Sequence, residues 1–112
     1  DARTLKARTL AWDGEYDKAE KELLNVIKRS PYYYDCYLAL LDVYWWAGKD
    51  EKSIVIAKMA FDNGLEDSEI SFKLAKAYER LKNKDMAIKI MDSLLIINPK
   101  NDTYKSYKQS LN

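Results

Sequence analysis

The side chains that could do chemistry are few. Cys36 is the single cysteine and the chain has no histidine. An intramolecular disulfide is therefore impossible, and the commonest general base and metal ligand is missing. Cys36 lies beside Asp35 in an apolar run and reads as a small hydrophobe rather than a nucleophile. Carboxylates are plentiful, but none are paired among apolar neighbours in the way that raises a pKa for acid–base work. Asp62, Glu66 and Asp67 crowd around Gly64 without calcium-loop spacing. Gly14, Gly48 and Gly64 are scattered stops, not a phosphate-binding loop. No enzyme, metal site or cofactor is expected.

What remains is chemistry of recognition. Lys73, Lys76 and Arg80 fall at i, i+3 and i+7, so on a helix they share one face and could hold an acidic group or chain terminus. Glu69 and Glu79 stand close enough in sequence to make that face an ordinary solvated one. Trp45 and Trp46 point about 100° apart on a helix. One is expected in the core and the other at a groove or interface, where an indole is also a platform for a peptide side chain or a sugar ring. Tyr32, Tyr33 and Tyr34 follow Pro31 as an aromatic cluster, of which at least two are expected to pack.

The totals bound the class of protein. The chain has 112 residues, 47% apolar and 33% charged, with three glycines and two prolines, too few turn formers for an all-β fold. Nineteen basic against eighteen acidic side chains leave a net +1, which gives no case for nucleic acid or an anionic membrane. No apolar run approaches the roughly 18 to 20 residues of a membrane span, so direct membrane insertion is not expected. The chain opens at Asp1 rather than Met, which reads as an excised or processed segment.

The elements that must position these residues repeat. Gly14-Glu15-Tyr16-Asp17-Lys18-Ala19 aligns with Gly48-Lys49-Asp50-Glu51-Lys52-Ser53 at an offset of 34, and Ala19, Ser53 and Ala87 keep that spacing. Leu10, Tyr44 and Tyr78 form another column, and Pro31, Leu65 beside Gly64, and Pro99 mark the breaks. Each unit reads as two amphipathic helices. The first pair covers about Arg3 to Trp12 and Tyr16 to Arg29; the second covers about Tyr34 to Ala47 and Asp50, an N-cap, to Asn63. The third covers about Asp67 or Ser68 to Leu81 and Asp85 to Ile97, and Asn101 to Leu111 reads as a capping helix with one apolar stripe. One helix pair cannot bury its stripe alone, so pairs stack. The expected organisation is a single domain with repeats at about 1–33, 34–67 and 68–101 and a cap at about 102–112.

With these columns the chain resembles tetratricopeptide repeats. The resemblance rests on Ala7, Gly14, Tyr16, Ala19, Leu23 and Pro31; on Tyr37, Leu40, Tyr44, Gly48, Ala57 and Ala60; and on Leu74, Ala75, Tyr78, Ala87, Met91, Leu94 and Pro99. Ser53 for the usual Ala, Leu65 for the Pro and Lys6 for an apolar residue depart from the pattern. The resemblance implies an all-α, right-handed α-α superhelix, a solenoid whose first helices line a concave groove for a protein or peptide partner. Carried onto this chain, that groove holds Arg8, Trp12, Leu38, Asp42, Trp45, Trp46, Phe72, Lys73, Lys76, Glu79 and Arg80. The column that carries a key Asn in chaperone-tail clamps of this family holds Arg8, Asp42 and Lys76, so that adaptor role is disfavoured.

The phrases running from Ala11 to Ala19 and from Asp35 to Trp46 also look like the repeat segment of YaiO-type outer-membrane proteins. That likeness implies a periplasmic segment adjoining an outer-membrane β-barrel, as against a free-standing cytoplasmic adaptor. It further implies, as alternatives to peptide binding, a structural spacer or a carbohydrate-binding segment using Trp12 or Trp46.

Overall fold

The computed structural model describes residues 2–112, with side chains from Arg3 onward. The described residues form seven helices: α1 (Ala2–Trp12), α2 (Tyr16–Arg29), α3 (Tyr34–Ala47), α4 (Asp50–Asp62), α5 (Ser68–Arg80), α6 (Lys84–Ile97) and α7 (Asp102–Leu111). The all-α architecture expected from the periodicity is what is found. The chain divides between Glu66 and Asp67 into two compact units, α1 to α4 and α5 to α7.

The repeating unit is fixed at its turns. The amide of Glu15 donates to the Leu10 carbonyl at 2.8 Å and that of Gly14 to Ala11 at 2.9 Å, closing α1 in a Schellman motif. The same pair of bonds recurs after α3, where Lys49 donates to Tyr44 and Gly48 to Trp45, and after α5, where Asn83 donates to Tyr78 and Lys82 to Glu79. The motif needs a left-handed residue at its C′ position, and Gly14 and Gly48 supply it at φ +84° and +72°. At the third turn Lys82 takes that conformation at φ +66° despite its Cβ. The column of Leu10, Tyr44 and Tyr78 thus contributes a carbonyl as well as a side chain.

Because the turn after α3 closes so tightly, Asp50 is the first residue of α4 and not its cap; Lys49 holds the cap position, and its side chain makes no bond to the helix end. At α5, α6 and α7 the caps are made by side chains. Asp67 accepts from the Glu69 amide, Asn83 from Met86 and Asn101 from Tyr104. The Asn83 cap starts α6 one residue earlier than the sequence predicts.

In the first unit α2 buries Ala19, Leu23, Val26 and Ile27, while α3 buries Cys36, Tyr37, Leu40, Leu41 and Tyr44 among others. Each large side chain taken wholly out of water stabilises the fold by about 2 kcal/mol. Ala19, Ser53 and Ala87 are all buried, as a column of small residues at close helix approaches should be. The second unit has its own cluster of Ala75, Ala87, Met91, Leu94, Tyr104 and Leu111, with Phe72, Tyr78 and Tyr107 packed against it.

Candidate partner-binding faces

In the first unit, residues one repeat apart meet. The Arg8 guanidinium of α1 reaches the Asp42 carboxylate of α3 at 2.7 Å. One turn further along both helices, the indoles of Trp12 and Trp46 lie 6.3 Å apart at 88°, edge to face. Both contacts join positions offset by 34, and they advance together along the helices, so α1 and α3 run parallel and present one continuous face. Leu38 is half-buried on α3.

Neither Trp45 nor Trp46 is in the core, contrary to the expectation that one would be. Trp45 is 37% exposed and Trp46 42%. The inward stripe of α3 passes through Leu40, Tyr44 and Ala47, so positions 45 and 46 fall on the two flanks of the last turn. Trp12, at 81%, is more exposed still. Of the tyrosine cluster, Tyr32 is exposed and Tyr33 and Tyr34 are half-buried.

The other side of the first unit holds a polar network that sequence reasoning missed. The Tyr44 hydroxyl donates to Glu20 at 2.7 Å and Lys52 donates to the same carboxylate at 2.9 Å. Burial resists ionisation of Glu20, but these two bonds hold its carboxyl below the usual range. The Tyr44 phenol is pushed well up, by burial first and then by the Glu20 charge. Lys49 pairs with Asp17 at 3.0 Å, lowering the carboxyl and raising the amine. The sequence signal for these links was an acid in one unit and a base 32 residues later. Tyr37 donates to the Pro31 carbonyl at 2.6 Å and accepts from Asn63, tying the break after α2 to the end of α4.

Cys36 behaves as a core residue. Its thiol is buried, donates to the Leu23 carbonyl at 3.2 Å and is pushed up to about 11 by burial, which makes a thiolate unavailable near neutrality.

In the second unit the face of α5 is organised differently. The Phe72 ring meets Tyr104 at 5.1 Å and Tyr107 at 5.3 Å between centroids, both from α7. Lys76 places its ammonium 4.4 Å from the Phe72 centroid, and the Tyr107 hydroxyl donates to Glu79 at 2.7 Å. The Tyr107 phenol is raised by burial and then by Glu79. Lys73 is half-buried and Arg80 exposed. The residues predicted on α5 therefore divide: Phe72 and Glu79 are covered by α7, while Lys76 uses the aromatic ring as a seat. The sequence places Tyr104 and Tyr107 only on the apolar stripe of the last helix, because nothing local announces that they cover Phe72.

Among the described residues no group of His, Cys, Asp and Glu side chains could hold a metal ion, and no helix is long and apolar enough to cross a membrane.

Residues 69–101 match the model of a family described as Tetratricopeptide repeat. No curated protein matches the chain. Among solved structures, the first TPR domain of the human RPAP3 protein superposes with a TM-score of 0.81 at 16% identity, over 97% of this chain and 86% of that one. A thermophilic TPR protein of Thermus thermophilus does so at 0.75 with 26% identity over 88% of this chain, and a tetratricopeptide repeat protein from Parabacteroides merdae at 0.77 with 19% identity over 99%. The chain spans 50% and 46% of the length of these last two. The chain has the fold of tetratricopeptide-repeat proteins, and residues 69–101 match the model of one such repeat.

Proposed function

We propose that the chain is a non-catalytic interaction module that takes an extended peptide or a partner helix on the face of α1 and α3. The observation that carries this is the exposed indole pair, Trp12 and Trp46, standing beside the Arg8–Asp42 ion pair on parallel helices. Large exposed aromatics are the side chains that anchor partners, and flanking charges set orientation. On the second unit, taken by itself, Lys73, Lys76 and Arg80 share one face of α5, a separate basic stripe suited to an acidic segment. The fold supports the reading, since tetratricopeptide repeats generally serve as protein-interaction modules.

The test is selection of peptide ligands from a random display library on the whole chain, followed by calorimetric titration of the strongest. Trp46→Ala should weaken binding roughly tenfold or more, as loss of an anchor does. Val55→Ser, on the exposed side of α4, should leave it unchanged. Affinity that survives Trp12→Ala and Trp46→Ala together would remove the assignment.

The setting in a larger envelope protein rests on the two sequence phrases alone. An open reading frame that continues past Asn112 into alternating strands of about ten residues would support it. Further repeats of 34 in that position would favour an adaptor without a barrel.

A further inference from the structure

The partner-binding face has an unbalanced end. A helix carries partial negative charge at its C-terminus, and a basic residue in the last turn ordinarily complements it. Here α2 ends with Lys28 and Arg29, α5 with Arg80 and α7 with Lys108, but α1 and α3 have no basic residue in their last turns. Helices α4 and α6 share that lack and carry no indole. In α1 and α3 the last turn instead holds Trp12 and Trp46.

Two cations of the first unit close to this end in sequence are already committed. Arg8, one turn back, is neutralised by Asp42 at 2.7 Å. Lys49, just past the end of α3, turns to Asp17 at 3.0 Å. Exposed Asp13 follows Trp12 directly and adds a negative charge. The edge-to-face contact at 88° and 6.3 Å covers part of one indole face with the edge of the other ring, and the 81% exposure of Trp12 leaves a π face of the corner reachable from solvent. Such faces attract cations.

We propose that this corner receives a cationic side chain of a partner peptide, and arginine in preference to lysine. A guanidinium can stack flat on one indole while its N–H groups reach the Asp13 carboxylate. This rests on reading the α1 and α3 face as the one that binds a partner, and it adds the charge that the partner must bring.

The test follows the indole N–H signals of the isotopically labelled chain by NMR during titration with N-acetyl-arginine amide, N-acetyl-citrulline amide or N-acetylglucosamine. The arginine derivative should move the Trp12 and Trp46 signals saturably and less so in high salt. Citrulline, which keeps the shape and loses the charge, should bind roughly two- to fivefold more weakly. Asp13→Asn should weaken the arginine derivative in the same sense, and Trp12→Leu should abolish the Trp46 response. Equal response to citrulline, a response to the sugar alone, or no movement at all would overturn the proposal. A selected peptide that loses no affinity when its arginine becomes citrulline would overturn the corner and leave the wider face standing. A corner that binds arginine while no peptide is ever selected would do the reverse.

Discussion

The two units treat equivalent helix faces in opposite ways. In the first, α1 and α3 meet through an ion pair and an edge-to-face indole contact, and the indoles stay open to solvent. In the second, Phe72 of α5 occupies the column of Leu38, but two tyrosines of α7 cover it and Tyr107 also ties down Glu79. One helix pair cannot bury its apolar stripe alone, and here the helix that follows the pair covers it. Covering Phe72 stabilises the second unit and removes an aromatic anchor from its exposed face. The first unit keeps its anchors open and relies on Tyr44, Glu20 and Lys52 behind them.

The largest expected difference lies in α7. Tyr104→Ala should destabilise the second unit by about 3 kcal/mol, since it deletes a buried aromatic and opens a cavity against Phe72 and Met91. Hydrogen exchange should then show faster exchange through α7 while α2 and α3 keep their protection. Uniform loss of protection would mean that α7 stabilises both units alike.

Next is the network of the first unit. Tyr44→Phe removes the donor to a partly buried carboxylate and should cost about 1 to 2 kcal/mol in chemical denaturation. Its pH dependence has a definite sign. Glu20 has a lowered carboxyl pKa in the folded state, so its contribution is present above the ordinary value of 4.5 and is lost as pH falls through the folded value. The Tyr44 and Tyr107 phenols are raised, so their contribution is complete below the ordinary value of 10.0 and declines as pH rises beyond it. Thermal melts of Tyr44→Phe and Tyr107→Phe should therefore lose less stability between neutral and strongly alkaline pH than the parent chain. An alkaline limb unchanged in both variants would detach it from these phenols.

A smaller effect, of opposite sign, is expected at the turns. Lys82→Gly should stabilise the chain by about 0.5 to 1 kcal/mol because its φ of +66° strains any residue with a Cβ. Gly48→Ala should cost about as much, although nothing lies within 4 Å of the added methyl, because the strain there is conformational and not steric crowding. The smallest effect is the Arg8–Asp42 pair. Its side chains remain 38% and 23% exposed, and a double-mutant cycle should return about 0.2 to 1 kcal/mol. A much larger coupling would make this pair part of what holds the first unit together rather than part of its binding face.

The helices, their turns and the small-residue column were legible in the sequence because each follows from neighbours within a few residues. A left-handed glycine, a residue before proline and a stripe every three or four positions need no distant partner. Even here the tertiary structure adjusted details: Asn83 brought α6 forward by one residue, and Lys82 took the glycine conformation to close a turn that its column demanded. The fate of the tryptophans was not legible. Angular spacing says that Trp45 and Trp46 diverge, but only the position of the inward stripe through Leu40, Tyr44 and Ala47 decides that both lie outside the core. The same holds for Arg8 with Asp42, Trp12 with Trp46, and Phe72 with Tyr104 and Tyr107. Each pair is separated by about one repeat, and a contact across that distance depends on how helices pack rather than on the residues beside it. Sequence by itself determined the period, the helices and the candidate residues; packing decided which stand open to a partner, because burial is settled between helices and not along them.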